Sequence, residues 1–199
     1  MKILYCIIFL VFLSSCIRKS NVKESQSVTI GQPKTEKKKT ETMVNSKKDS
    51  LIIENRITHK FSQLEKKDVF SICIKGKSFS DGKVIFTITS FNGVEILKEE
   101  FPSNYLMNDG FIGNQDSIKD REDYIKKRII EFFNEDNFYY PAIKTTENFD
   151  EGRSDKDIWD DIKSDKSAVG FSFLIGEEDG RSIAFSKKKG KVVRYFNCC

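Results

Sequence analysis

The stretch Val69-Phe70-Ser71-Ile72-Cys73-Ile74-Lys75, then Ser80-Asp81-Gly82, then Val84-Ile85-Phe86-Thr87-Ile88-Thr89 decides the fold of this chain. Phe70, Ile72 and Ile74 alternate with smaller or polar residues, and so do Val84, Phe86 and Ile88. Period-two alternation puts each trio on one face of a strand with one side buried. Asp81-Gly82 lies between the runs, and Asn92-Gly93 separates the second from Val94-Glu95-Ile96-Leu97. Both dipeptides suit two-residue hairpin turns, whose central positions need positive φ. The segment predicts a three-stranded antiparallel meander.

The same grammar returns near the C-terminus. Val169–Ile175, Ser182–Phe185 and Val192–Phe196 read as three strands, with Asp179-Gly180 and Lys189-Gly190 as turns. Between the two meanders, residues 117–133 have helical spacing. Ile118, Ile125, Ile129 and Phe132 fall on one stripe, with Tyr124 and Phe133 beside it. Ser117 can cap this helix and Asp120 puts negative charge in its first turn. Glu122 with Lys126, and Asp123 with Lys127, are favourable i, i+4 pairs for its outer side. The predicted fold class is therefore α+β: one antiparallel sheet of two three-stranded meanders packed against one long helix. Residues 51–64 read equally as an edge strand or a short helix. Residues 50–199 are long enough for one domain with a proper core.

Outside that domain the chain changes character. Lys2 precedes the apolar run Ile3 to Leu13, in the order of a signal peptide. The run is too short to span a bilayer as a helix, which takes about 20 apolar residues. It closes on Leu13-Ser14-Ser15-Cys16, which resembles the lipobox of bacterial lipoproteins. The resemblance covers the first sixteen residues only. It implies cleavage before Cys16, so that residues 1–15 are a signal peptide, and attachment of a diacylglyceryl group to the Cys16 thiol. Two acyl chains give stable anchoring where one is marginal. The residues after Cys16 (Ile17-Arg18-Lys19-Ser20) carry no acidic cluster, and the resemblance then implies an outer-membrane anchor with the domain facing the periplasm.

Residues 16–49 are polar, lack apolar periodicity and read as a disordered tether. From residue 17 to 49 nine Lys or Arg face four acids, a charge of +5. The whole chain is +4, and residues 50–199 hold 24 basic and 26 acidic residues, a charge of −2. The basic character belongs to the tether, whereas a nucleic-acid module needs its basic face on the fold itself. Nucleic acid is therefore not an expected partner. The Lys37-Lys38-Lys39 run either keeps the tether solvated or draws it towards anionic head groups. As a coil, a tether of this length spans on the order of 30 Å.

Few residues point to catalysis. His59, the sole histidine, stands in Ile57-Thr58-His59-Lys60-Phe61 without a Cys or Asp at a useful spacing, and reads as a packing or surface residue. No nucleophile elbow, zinc-binding helix motif, phosphate loop or dinucleotide fingerprint occurs. Asp155, Asp157, Asp160 and Asp161 are the densest acids, and hard cations take several oxygen ligands. Their spacing does not match a calcium loop, and Ile158 and Trp159 fall where ligands would be. The reading preferred is an acid-rich helix start capped by Ser154, with Ile158, Trp159 and Ile162 facing inward. Residues 108–114 read as a loop joining strand to helix, with ligand binding the alternative. No metal, cofactor or catalytic residue is assigned.

Of five cysteines, Cys6 leaves with the signal peptide and Cys16 takes the lipid, leaving Cys73, Cys198 and Cys199. In an oxidising compartment a terminal cysteine bonded to Cys73 would pin the last strand to the first meander. Three unbridged thiols remain the other reading. Together these features suggest an envelope lipoprotein, membrane-bound through its lipid, whose domain binds a protein or an envelope polymer. The alternatives are an envelope hydrolase using dispersed carboxylates such as Asp157 and Asp160, and a purely structural assembly lipoprotein.

Overall fold

A computed structural model describes residues 50–107, 110–176 and 178–198, all within one compact unit, Asn45–Cys199. The expected signal peptide, the expected lipidation site Cys16, the expected tether and Cys199 lie outside the described residues. The first sheet contains β1 (Ser50–His59), β2 (Asp68–Gly76), β3 (Lys83–Thr89) and β4 (Glu95–Pro102), antiparallel and in sequence order. The second contains β5 (Phe138–Tyr139), β6 (Gly170–Leu174), β7 (Gly180–Ser186) and β8 (Lys191–Cys198), ordered in the same way. Helix α1 (Ile118–Glu131) comes between the sheets in the chain, and α2 (Lys156–Ser164) between β5 and β6.

The α+β class is therefore correct, and its detail needs correcting. Among the described residues there are two sheets of four strands rather than one sheet of two three-stranded meanders, and the long helix α1 is joined by α2, the short helix expected in the acid-rich segment. Residues 51–59 resolve as edge strand: β1 pairs with β2 from Ser50 opposite Gly76 to His59 opposite Asp68. The added strand of the second sheet, β5, pairs only Phe138 with Phe171 and Tyr139 with Gly170. Alternation identifies which face of a strand is buried and leaves open which strands pair, so the number of sheets was not legible.

The expected inner faces are the core. Phe70, Ile72, Ile74, Val84, Phe86 and Ile88 are fully buried, and Phe171, Phe173 and Ile183 of the second sheet join them in one cluster. Ile125, Ile129, Phe132 and Phe133 bring α1 into the same cluster. Ser117 caps α1 as expected, its hydroxyl accepting from the Asp120 amide at 3.2 Å. Ile118 departs from the expected stripe, since the first turn is exposed. The ion pairs also shift by one step, to Lys119 with Asp123 (2.5 Å) and Lys127 with Glu131 (3.9 Å). Helix α2 covers the opposite face of the second sheet, where Trp159 and Ile162 pack with Ala184, Val193 and Tyr195. Its N-cap is Asp155, whose carboxylate accepts from the Ile158 amide at 3.0 Å, rather than the expected Ser154. Among the described residues no helix is long and apolar enough to cross a membrane.

The turns divide glycine's duties differently from expectation. Gly93 and Gly190 have positive φ (86° and 64°), as their turns require. Gly82 does not. It is needed because a Cβ there would lie 2.4 Å from Ile74 Cγ2, and the positive φ of that hairpin falls on Gly76.

Candidate binding groove

On β6 and β7, Ser172 lies opposite Ser182, and Ser182 lies opposite Phe196 of β8. Because Phe171 and Phe173 face the main core, Ser172 between them points to the other side of the sheet. The two serine hydroxyls are 2.6 Å apart. Two depressions meet along this row. One, of about 520 Å³, runs from Arg128, Asn134 and Asn137 across Ser172 and Ser182 to Phe196 and Cys198. The other, of about 460 Å³, runs from the same Ser172, Ser182 and Phe196 to Tyr139, Trp159, Tyr195, Glu147, Asn148 and Asp150. The shared residues set the two open depressions side by side, as two halves of a groove across the sheet.

The shortness of β5 creates the first half. It leaves the Ser172–Leu174 stretch of β6 without a strand on that side, and the end of α1 stands there instead. The Arg128 guanidinium donates to Leu174 O (2.9 Å) and Leu106 O (3.3 Å), meeting part of the open edge. Arg181 closes the far wall. It clamps Asp179 at 2.6 and 2.5 Å and reaches Glu99 of β4 at 2.6 Å. Arg194 also approaches Glu99, at 3.5 Å. The Arg181 guanidinium is shielded, which alone would lower its pKa, but the two carboxylates hold it above its ordinary value.

The second half is aromatic with an acidic rim. The Tyr195 hydroxyl donates to Ala142 O at 3.0 Å, and Gly170 permits this, since a Cβ there would lie 2.6 Å from that hydroxyl. Burial pushes the Tyr195 phenol well above its ordinary pKa, against the pull of the Ser182 hydroxyl, so it stays protonated. The segment carrying Asp150 is pinned to β8 by the Ser154 hydroxyl on Tyr195 O (2.9 Å) and the Asn197 amide on Arg153 O (2.8 Å). Ser154 thus ties a loop to the sheet instead of capping a helix. Tyr139 is 41% exposed at the groove mouth, and the Arg153 guanidinium stands 5.8 Å from the Phe196 ring. The exposed Tyr139 ring beside hydroxyls, an amide and carboxylates can stack on an apolar ring face while its neighbours accept from hydroxyl donors.

The sequence-derived candidates fall elsewhere, apart from Cys198. His59 stacks on Phe138 (centroids 3.8 Å apart), with Nδ1 2.8 Å from Lys60 O and Nε2 3.3 Å from Glu135 Oε1. Asp155 caps α2, Asp160 pairs with Lys156, and Asp161 accepts from the Ser186 hydroxyl at 2.5 Å. Among the described residues no cluster of three or more potential metal ligands forms. In the 108–114 loop, Asn108 and Asp109 lie outside the described residues, and Phe111 packs edge-on against Tyr124. Cys73 is a half-buried thiol on β2, not bonded to Cys198, and burial raises its pKa despite nearby Lys75. Its suggested partner Cys199 lies outside the described residues. The groove itself was missed because its residues are spread over five segments, residues 128–150, 159, 172–174, 180–182 and 195–198. The one available signal was the serines alternating with Phe171 and Phe173.

No protein-family model matches this chain, no curated protein matches its sequence, and no solved structure matches its fold.

Proposed function

We propose that this chain is a lipid-anchored cell-envelope protein whose domain holds an extended, hydroxyl-rich envelope polymer in the groove of the second sheet. One observation carries the ligand reading: the two depressions share Ser172, Ser182 and Phe196 in their walls and both are open, so together they offer an extended surface rather than a closed pocket. A linear chain fits such a shape, with a sugar ring stacking on Tyr139 and hydroxyls donating to Glu147, Asp150 or the serines. The lipobox residues Leu13-Ser14-Ser15-Cys16 support the anchor, and the tether allows the domain to reach a polymer layer away from the membrane.

The test uses the full-length protein in detergent. Trp159 is the chain's only tryptophan and lines the groove, so its emission reports occupancy. Soluble glycan oligomers should shift that emission, and isolated cell-wall sacculi should retain the protein. Tyr139→Ala, at an exposed position, should weaken binding by roughly 5- to 100-fold, as loss of an aromatic stacking contact does, without lowering the melting temperature. Unaltered emission with no retention on sacculi would overturn the polymer reading. Mass spectrometry of the wild type against Cys16→Ala tests the anchor by itself, since only the wild type should carry a diacylglyceryl mass.

A further inference from the structure

The tether joins the domain at one defined place. Ser50, the first described residue, starts β1 opposite Gly76, and its hydroxyl donates to Gly76 O at 3.0 Å. The β2–β3 hairpin therefore lies at the junction, and beside it is a cleft of about 740 Å³ lined by Lys75, Lys77 and Lys83 around Gly76 and Gly82. Asp81 and Glu100 are the acids of that cleft. Glu100 is shared by Lys83 (3.2 Å) and Lys98 (2.9 Å), while Lys75 and Lys77 enter no ion pair among the described residues. Leu51, opposite Lys75 in the register, is 56% exposed. Residues 50–199 carry −2 overall, yet this end presents unpaired lysines and an exposed leucine, continued in sequence by Lys47 and Lys48 of the tether.

From this placement we infer that the tether end of the first sheet is a docking surface for an anionic lipid bilayer, the one that holds the anchor. This rests on the lipid-anchor reading and goes beyond the polymer reading. Lysines at a membrane surface draw on its negative potential, and a neighbouring apolar side chain can enter the interface. Each lysine brought to the surface multiplies the docked-to-undocked ratio by about fivefold. The attraction acts only within a Debye length, so docking is salt-sensitive and reversible. None of the cleft residues lines the groove, so a docked domain can keep its groove occupied. The surface gives the domain a defined orientation that a coil tether alone would not impose.

The experiment reconstitutes the full-length lipidated protein into phosphatidylcholine vesicles with and without phosphatidylglycerol, each carrying dansyl-labelled lipid. Energy transfer from Trp159 to the dansyl groups reads how the domain stands over the surface. Transfer should differ between the two vesicle types, with the difference abolished by high salt and by Lys75→Glu/Lys77→Glu/Lys83→Glu. Lys75→Gln/Lys77→Gln, which leaves the Lys83–Glu100 pair intact, should remove most of it even if the triple variant folds poorly. Equal transfer on both vesicles would overturn the inference. So would a lipid response that survives both sets of substitutions, since the tether lysines would then suffice. Flotation with neutral vesicles reads the anchor separately: failure there refutes anchoring, while the phosphatidylglycerol arm still reads docking.

Discussion

Asp68 is the only acidic or basic side chain buried among the described residues. It is fully buried, and its carboxylate accepts from the Ser62 amide (2.5 Å), the Ser62 hydroxyl (3.0 Å) and the Phe91 amide (2.8 Å). One side chain thus ties the β1–β2 loop to the β3–β4 turn. Asn keeps the shape but turns one acceptor into a donor facing other donors. Asp68→Asn should therefore cost about 2–3 kcal/mol, read as a lower urea midpoint with an unchanged m-value. In the sequence Asp68 looks like any polar residue before a strand, because its donors come from Ser62 and Phe91, which only the folded register brings near. The neighbouring core residues were legible for the opposite reason. Phe70, Ile72 and Ile74 announce their burial by local alternation alone. Gly82 shows the intermediate case, since an Asp-Gly pair marks the turn correctly while the need for glycine comes from Ile74.

Helix ends were read more faithfully where the cap lies next to its own helix. Ser117 caps α1 as its position implied, but at α2 the expected cap, Ser154, gave way to its neighbour. Asp155 took the cap, and Ser154 was drawn away by Tyr195 O, a partner 41 residues distant. Asp155→Ala should cost about 1 kcal/mol through the lost cap and the lost charge at the helix start. Thermal denaturation followed by circular dichroism checks this, and Asp155→Ser should restore most of it. At the other end of α2, the Asp165 carboxyl is partly buried, which would raise its pKa. The Ser167 hydroxyl (2.6 Å) and amide (2.9 Å) and Lys187 (3.1 Å) outweigh that and hold it below the ordinary carboxylate value. A depressed folded pKa stabilises the fold above the unfolded value, near about 3.9, and that contribution is lost as pH falls through the folded pKa. Asp165→Asn should be less stable than wild type at neutral pH, with the gap closing below about pH 4. A gap that stays constant across a pH series of urea titrations would refute the assignment.

At the scale of the molecule, two sheets that share no strand pairing behave as one body because they share a core. Phe86 of β3 lies 5.4 Å from Phe132, 6.0 Å from Phe171 and 5.2 Å from Phe173, while Phe70 of β2 lies 5.5 Å from Phe171. Rings from both sheets and the end of α1 thus interlock edge to face, an arrangement that adds about 0.5–1.5 kcal/mol per pair to simple burial. The Glu99–Arg181–Arg194 contacts tie β4 to β7 and β8 at the rim. The second cluster, under α2, lies on the other face of the second sheet. Trp159 belongs to that second cluster, so its emission and the far-ultraviolet circular dichroism report different parts of the domain. If the phenylalanine core couples the sheets, both signals should follow a single transition in urea. Phe86→Ala, made in the first sheet, should then shift the Trp159 transition as far as the dichroism transition, by about 3–5 kcal/mol. A first sheet able to melt alone would give the contrary result, with the dichroism falling early and the Trp159 curve left in place.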